Sequence, residues 1–337
     1  MATTMAERIS FVAALPPPPD TQRVIMLGDS TVIQAAGGRA LPEQLHEELL
    51  RLRPQAVEVQ HLADFGISAF EYYAFAEKLT RTHPGVVVLA FNPRAFFDGW
   101  RSQWSRKEAY GWIEATRLPE VISKPLHWFG MTLDQLLFYK LAVATGCNRL
   151  WRMMRAEQVR TGDGLERFRK WAQTQAPQWL GGRGTALPIP AAGFTDNTNT
   201  RLNKEALTER YIDPLRHISA DHPVFELFGS FLRILRADGI PVVAYIVPVD
   251  VEHMRRMGVE DLHLLERAGS LACTIVRDHG SACLDLHDAL PDAAFSDAFG
   301  HYHAGPDMNG IGLIARRLAP EVSRALDQRV EALAGHP

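Results

Sequence analysis

The stretch VIMLGDS, residues 24–30, joins four consecutive apolar residues to Gly28, Asp29 and Ser30. A short apolar run that ends in turn-forming residues is typical of a buried β-strand. Gly28 permits a tight turn, and Asp29 and Ser30 suit the cap of a following helix. Because open α/β sheets carry their reacting groups at the carboxyl ends of strands, the stretch predicts a serine hydroxyl at such an edge. The same three residues also suit an ordinary turn.

Two further predicted strands end in residues that suit the same sheet edge. Residues 57–63 predict a second strand, and Gly66 lies in the turn that follows it. Residues 86–90 are continuously apolar, as expected of a strand buried on both faces, and Asn92 follows them. Since parallel strands present their carboxyl ends at one edge, we expect Gly66 and Asn92 to lie level with Ser30.

A carboxylate and two imidazoles follow the last predicted strand. The segment FSDAFGHYH, residues 295–303, contains Asp297, His301 and His303, and a helix is predicted around residues 311–326. A serine hydroxyl is a weak nucleophile until an imidazole takes its proton, and a carboxylate can orient that imidazole. The chain therefore has the residue types that serine-based acyl transfer needs.

This order of motifs resembles that of the SGNH (GDSL-like) hydrolases and their acyltransferase relatives. The resemblance covers residues 22–97 and 225–325. It implies that Ser30 is the nucleophile of an acyl-transfer site. It also implies an oxyanion hole formed by the backbone amides of Ser30 and Gly66 and by the side-chain amide of Asn92.

The resemblance further implies a histidine base held by Asp297. The family places its histidine three residues after the aspartate, whereas His301 follows at four residues and His303 at six. We favour His301, because Gly-His-Tyr before a turn into the last helix resembles variants of this block, and His303 remains a rival. The third block also departs from the family, since Ala90 replaces a glycine while the Asn92 amide is kept.

Arg94 is a candidate substrate contact, because it follows Asn92 on the same predicted loop. An exposed arginine held in a salt bridge is the alternative interpretation. The stretch Gly37-Gly38-Arg39 has neither a P-loop lysine nor dinucleotide-binding spacing, so it does not predict a phosphate site.

Alternating strands and helices predict an α/β fold. We expect a three-layer α/β/α flavodoxin-like sandwich with a five-stranded parallel sheet. The predicted parts are an N-terminal extension, an α/β core in two pieces, and a mainly helical insertion: residues 1–21, residues 22–97 with 225–330, and residues 98–224. The insertion is interpreted either as a cap over the site or as a decoration that enlarges the core or forms an oligomer interface.

Composition narrows the class of protein further. A formal net charge of −3 over 337 residues gives no broad electrostatic reason to expect nucleic-acid binding. The spacing of Cys147, Cys273 and Cys283 suits neither a zinc site nor a disulfide framework, so we expect free thiols in a reducing compartment and no metal. No cofactor is expected.

The N-terminal apolar stretch at residues 9–15 fits a secretory signal poorly, because Glu7 and Arg8 precede it and four prolines follow it. Charged residues interrupt the apolar segment at 133–154, so an integral membrane segment is not expected. We therefore predict a cytoplasmic protein, and an oligomer is left open.

Together these features predict a serine-dependent acyl-ester hydrolase that acts through an acyl-enzyme on a small ester. Transfer of the acyl group to an oxygen or nitrogen acceptor, from a small-molecule acyl donor, is an alternative at the same site. A catalytically inactive binding module is a second alternative, because the Asp–His spacing is irregular.

Overall fold

The computed structural model describes most of the α/β part of the chain. Its described residues are 9, 12–14, 21–53, 57–63, 67, 69–94, 113, 137, 202–297, 300–306 and 308–334. The chain divides into two compact units, Met1–Ala109 with Asp196–Pro337, and Tyr110–Thr195. Nearly all of the second unit lies outside the described residues. The boundaries and helical content of the insertion at 98–224 therefore stay a prediction.

Seven strands are found among the described residues. They are β1 (Gln22–Gly28), β2 (Ala35–Ala36), β3 (Val57–Ala63), β4 (Val86–Phe91), β5 (Val242–Ile246), β6 (Ala282–Asp285) and β7 (Tyr302–His303). Five of them form one sheet in the order β3-β1-β4-β5-β6, and every neighbouring pair in it is parallel. This order confirms the predicted flavodoxin-like sheet. A separate small sheet pairs β2 with β7 in parallel.

Helices alternate with the strands of the main sheet. They are α1 (Ser30–Ile33), α2 (Leu41–Leu52), α3 (Ala69–Thr80), α4 (Lys204–Leu207), α5 (Pro223–Ala237), α6 (Val251–Arg256), α7 (His263–Asp278) and α8 (Gly310–Ala334). A π-helical turn at Thr208–Ile212 continues α4, and 3-10 turns lie at Asp213–Leu215 and Asp292–Ala294. Of the described helices, none has both the length and the apolar character that crossing a bilayer would require.

Helices cover both faces of the sheet, because successive side chains of a strand point to opposite faces. All six residues of β4 are buried. On one face, Val88 belongs to a cluster that contains residues of α2 and α8. On the other face, the ring of Phe91 lies 5.8 Å from that of Phe228 in α5, and Tyr72 of α3 lies 5.7 Å from Phe231. These contacts build the predicted three layers.

One prediction about the cysteines is wrong. Cys273 of α7 and Cys283 of β6 form a disulfide, with their Cα atoms 5.3 Å apart. The helix ends at Asp278 and a short turn leads straight into β6, so α7 lies along the strand that follows it. That antiparallel return brings two thiols together although their spacing, ten residues, fits no disulfide framework. Cys147 lies outside the described residues.

Candidate active site

The candidate site lies at the carboxyl ends of two neighbouring strands, β1 and β4. β1 has β3 on one side and β4 on the other, so the crevice at the carboxyl ends of β1 and β4 is a topological switch point. The two strands are paired with Leu27 opposite Leu89. Ser30 follows Leu27 by three residues, and Asn92 follows Leu89 by three residues, so both lie just beyond the ends of their strands. Their predicted placement at one level of the sheet edge agrees with this register.

The turn that presents Ser30 depends on a glycine at position 28. A Cβ atom there would lie 2.3 Å from Cγ2 of Val32 and 2.8 Å from Cβ of Ala90. Distances this short are overlaps, so only glycine lets α1 fold back over the end of β1. Asp29 then caps α1, because its Oδ1 accepts hydrogen bonds from the backbone N of Thr31 at 2.9 Å and from the Thr31 hydroxyl at 2.7 Å.

The side chain of Asn92 is bound to the same aspartate. Its Nδ2 donates to Oδ2 of Asp29 at 2.7 Å, and its Oδ1 accepts from the backbone N of Arg94 at 3.1 Å. Asp29 and Asn92 are both buried. An amide nitrogen carries two hydrogens, so the contact with Asp29 uses one of them. The other hydrogen is the one that a bound oxyanion could accept.

His301 connects Ser30 to a carboxylate. Its Nε2 lies 3.0 Å from Oγ of Ser30, and its Nδ1 lies 2.6 Å from Oδ2 of Asp297. With Nδ1–H donating to the carboxylate, Nε2 is the acceptor for the serine hydroxyl. Ser30 and His301 are each 7% exposed, so these hydrogen bonds lie in a largely desolvated place. The arrangement can move a proton from the hydroxyl to the imidazole.

The unusual spacing between Asp297 and His301 is accommodated by a closed loop. A backbone bridge joins Phe295 to Tyr302, so the segment between them turns back on itself. Gly300 has a φ of +83°, a conformation that favours glycine. In this loop the backbone N of His301 also donates to Oδ1 of Asp297 at 3.2 Å. Both carboxylate oxygens therefore hold the same histidine, although it follows at four residues and not three.

His303 occupies a different place. It lies on β7, where it is paired with Ala36 of β2, and it is half-buried. Among the hydrogen bonds of the described residues, Ser30 is joined to His301 and not to His303. The small sheet of β2 and β7 also has a positioning effect, because it links the segment that follows Ser30 to the segment that follows His301.

Tyr211 is a neighbour of the site that the sequence did not indicate. It is buried on the π-helical turn Thr208–Ile212. Its hydroxyl lies 3.8 Å from the position that a Cβ would take at Gly300, the residue before His301. Burial raises the pKa of Tyr211 to about 12, so it stays neutral near pH 7. Single π-helical turns are frequent at functional sites. A π-helical turn has no characteristic sequence pattern, so nothing in the sequence singled out Tyr211.

Arg94 lies over the ring of Tyr211, with its Cζ 5.7 Å from the ring centroid. The side chain is partly buried, and no carboxylate among the described residues lies within ion-pair distance of it. The alternative interpretation, an exposed arginine held in a salt bridge, therefore does not describe its environment. The remaining predicted site residue, Gly66, lies outside the described residues.

A second His–Asp pair lies at the end of β6, away from any serine contact among the described hydrogen bonds. Nδ1 of His287 is 2.8 Å from Oδ1 of Asp285. The hydrogen bond with Asp285 raises the pKa of His287 above its ordinary value. This pair resembles the His301–Asp297 pair in distance, but no hydroxyl of the described residues forms a hydrogen bond with His287. It therefore offers an internal control.

Asp250, His253 and Asp292 bring three potential metal-ligand atoms within 4.8 Å of one another. However, Nη2 of Arg256 lies 2.8 Å from Oδ2 of Asp292. Burial raises the pKa of Asp250 to about 7, and a hydrogen bond with Asp292 adds to this effect. A guanidinium and a proton shared by two carboxyl groups use the oxygens that a cation would need. The cluster is better described as a carboxyl pair than as a metal site.

Comparison with known proteins adds little to this geometry. No protein-family model matches the chain, and no curated protein sequence does. Among solved structures, the chain is similar to a GDSL-like lipase from Bacteroides thetaiotaomicron VPI-5482, with 10% identity, 97% of this chain and 99% of that chain covered, and a TM-score of 0.38. A "putative acylhydrolase" from Bacteroides fragilis NCTC 9343 has 9% identity, 95% and 94% coverage, and a TM-score of 0.38. Similarities this distant carry no argument about the site. The description of the site depends only on the interatomic distances given above.

Proposed function

We propose that this protein is a serine-dependent acyl-ester hydrolase that acts through an acyl-enzyme at Ser30. The observation that carries the proposal is the hydrogen-bond chain from Ser30 through His301 to Asp297, with distances of 3.0 Å and 2.6 Å. A serine, an imidazole and a carboxylate in this order are what nucleophilic acyl transfer requires. The substrate is a small acyl ester, and the reaction needs no cofactor.

In the first half of the reaction, Oγ of Ser30 attacks the ester carbonyl carbon while its proton passes to Nε2 of His301. Asp297 holds Nδ1–H and stabilises the imidazolium that forms. The tetrahedral intermediate then breaks its bond to the alcohol oxygen, which takes the proton from His301. The acyl group remains on Ser30.

In the second half, His301 takes a proton from a water molecule that attacks the acyl-enzyme, and it returns that proton to Ser30 as the acid leaves. Each tetrahedral intermediate carries a negative oxygen that needs preorganised donors. We assign this task to the backbone amides of Ser30 and Gly66 and to the second N–H of the Asn92 amide. The hydrogen bond to Asp29 supports the assignment of Asn92, because it fixes the direction of the amide.

Acyl transfer to an alcohol or amine is a second candidate at the same site. It is favoured by the burial of the reacting groups, since Ser30 and His301 are each 7% exposed and bulk water has limited access to them. Both reactions share the acyl-enzyme. Turnover of a chromogenic acetyl ester with and without added alcohol or amine acceptors separates them, because a transferase releases more than one equivalent of chromophore per enzyme only when an acceptor is present.

Labelling with a fluorophosphonate probe tests the proposal directly. We expect the wild type to form one adduct and the Ser30→Ala variant to form none. His301→Ala is expected to slow labelling about a hundredfold or more, because the hydroxyl loses its general base. His287→Ala is the matched control, since His287 has an aspartate at 2.8 Å but no hydrogen bond to a serine of the described residues, and it should label like the wild type.

The alternative of an inactive binding module predicts a different result. Folded wild-type protein, verified by circular dichroism, would then carry no adduct that depends on Ser30. Equal loss of labelling in His301→Ala and His287→Ala would also contradict the proposed assignment of the base.

A further inference from the structure

No carboxylate of the described residues forms an ion pair with the guanidinium of Arg94. Its Nε is buried and has no hydrogen-bond acceptor among the residues that the structure describes. Two arginines that are buried show the ordinary situation: Arg23 pairs with Glu58 at 2.9 Å, and Arg53 pairs with Asp327 at 2.6 Å. Arg94 is partly buried, and removing a charge from water is costly unless it is paired, so an anionic partner would lower this cost.

The two carboxylates of the site, Asp29 and Asp297, already have other hydrogen-bond partners. Asp29 accepts hydrogen bonds from Thr31 and Asn92, and Asp297 accepts two from His301. Their charges act on this region, since both oppose the ionisation of Tyr211 while Arg94 favours it. Neither carboxylate lies within ion-pair distance of the Arg94 guanidinium among the described contacts.

Arg94 is also joined to both loops that carry the reacting groups. Its backbone N binds Oδ1 of Asn92 at 3.1 Å. Its guanidinium lies over the ring of Tyr211, with Cζ 5.7 Å from the centroid, and the Tyr211 hydroxyl lies 3.8 Å from the position that a Cβ would take at Gly300, the residue before His301. A cation–π contact of this kind attracts the guanidinium to the face of the ring. Because Tyr211 is neutral, it does not cancel the positive charge.

We propose that Arg94 binds a carboxylate or phosphate group of the substrate, so that the ester acted on at Ser30 is anionic. This inference rests on the proposed function and adds the substrate class to it. Arg94 is then a specificity residue: it holds a charged group of the substrate, while Ser30 and His301 carry out the chemistry. The planar fork of a guanidinium suits the two oxygens of such a group.

The test compares esters that differ in one anionic group. On the acyl side, the pair is 4-nitrophenyl hexanoate and the mono-4-nitrophenyl ester of adipic acid. On the alcohol side, phenyl acetate is compared with 4-acetoxybenzoate and with 4-acetoxyphenyl phosphate, which distinguishes a carboxylate from a phosphate. The quantity measured is the ratio of kcat/KM for the anionic ester to kcat/KM for its neutral counterpart.

We expect this ratio to exceed one for the wild type in at least one pair, and to fall about tenfold or more in Arg94→Gln, because a charge-assisted hydrogen bond is lost. Arg94→Lys should recover part of the ratio, and added salt should lower the wild-type ratio but not that of Arg94→Gln. Arg324→Gln, which removes an exposed arginine of α8, is the control and should keep the wild-type ratio.

An unchanged ratio in folded Arg94→Gln, or a wild-type ratio below one in every pair, would overturn the inference. These results are distinct from failure of the proposed function, in which neither wild type nor Arg94→Gln would form the Ser30-dependent fluorophosphonate adduct. If Arg94→Gln does not fold, the salt dependence of the wild-type ratio and the Arg94→Lys variant decide the matter.

Discussion

Asp29 holds together two segments that come from different strands. One of its oxygens accepts from Thr31, which follows β1, and the other accepts from Asn92, which follows β4. The sequence indicates only the first of these contacts, since an aspartate at this position suits a helix cap. The second contact gives Asn92 a structural task in addition to the proposed stabilisation of an oxyanion.

Asn92→Ala should therefore lower both activity and stability. Loss of one oxyanion donor typically lowers kcat by about 10²–10³-fold. Loss of the donor to a buried carboxylate oxygen is expected to lower the free energy of unfolding by about 1–3 kcal/mol. Ester turnover and urea unfolding measure the two effects separately.

Thr31→Val is the control for this prediction, because it removes the hydroxyl that binds Asp29 at 2.7 Å and leaves the Asn92 amide in place. It should lower stability with a much smaller loss of turnover. Equal losses of turnover in the two variants would mean that Asn92 acts only through the position of Asp29.

Two features link elements of the core in addition to the hydrogen bonds of the main sheet: the small β2–β7 sheet and the disulfide. The ladder between β2 and β7 joins the Ser30 and His301 segments, and the backbone N of Ala304 extends it with a 2.8 Å bond to the carbonyl of Ala36. The disulfide joins α7 to β6, an edge strand of the sheet.

The disulfide predicts a specific count of free thiols. Denatured, unreduced protein should react with one equivalent of iodoacetamide, at Cys147, and reduced protein should react with three. Removing the cross-link with Cys273→Ser is expected to lower the free energy of unfolding by about 2–3 kcal/mol, from the closure of a loop of this length.

Three reactive thiols without reduction would contradict the disulfide. The count also bears on location, because disulfides persist mainly in oxidising compartments. The cytoplasmic location expected from the N-terminus stays a prediction, and a single free thiol in protein taken directly from its native cell would argue against it.

The stability of the whole molecule should depend on pH through the carboxyl pair of Asp250 and Asp292. Burial raises the pKa of Asp250 from 3.8 to about 7, and the hydrogen bond with Asp292 acts in the same direction. Between about pH 4 and pH 7 the folded protein therefore keeps a proton on Asp250, whereas the unfolded chain has already released it. Over that range the free energy of unfolding falls as pH rises, and above pH 7 the full loss is present.

Asp250→Asn should stabilise the protein at alkaline pH. Asparagine keeps an oxygen that can accept from the backbone N of His253 and an N–H that can bind Asp292, but it does not ionise. Because Asp250 is only half-buried, solvent screening reduces the effect, and we expect a gain of about 1 kcal/mol at pH 8. The gain should be smaller at pH 4.5.

Thermal unfolding at the two pH values measures this difference, and Asp288→Asn, which removes an exposed carboxylate of the turn after β6, is the control. A gain that is the same at both pH values would mean that the ionisation of Asp250 is not its cause.

The presence of the strands and the position of the candidate nucleophile at a strand end follow from local sequence. Runs such as residues 86–90 are apolar throughout because helices cover both faces of the sheet, and a strand of this kind can be recognised from its own residues. Gly28 and Ser30 then lie at a strand end by chain connectivity alone. The expected class of fold and the sheet edge of the site needed no information from distant parts of the chain.

Only the tertiary structure decided which side chains of the site and of the core contact one another. The choice between His301 and His303 as the partner of Ser30 depends on the conformation of a segment that lies 271 residues further along the chain. The pairing of Cys273 with Cys283 depends on how α7 packs along β6. The cation–π contact of Arg94 with Tyr211 likewise joins two segments that no local pattern connects. Strand and helix patterns record burial, which each residue experiences singly, whereas a hydrogen bond or an unpaired charge depends on two groups that meet only when the whole chain has folded.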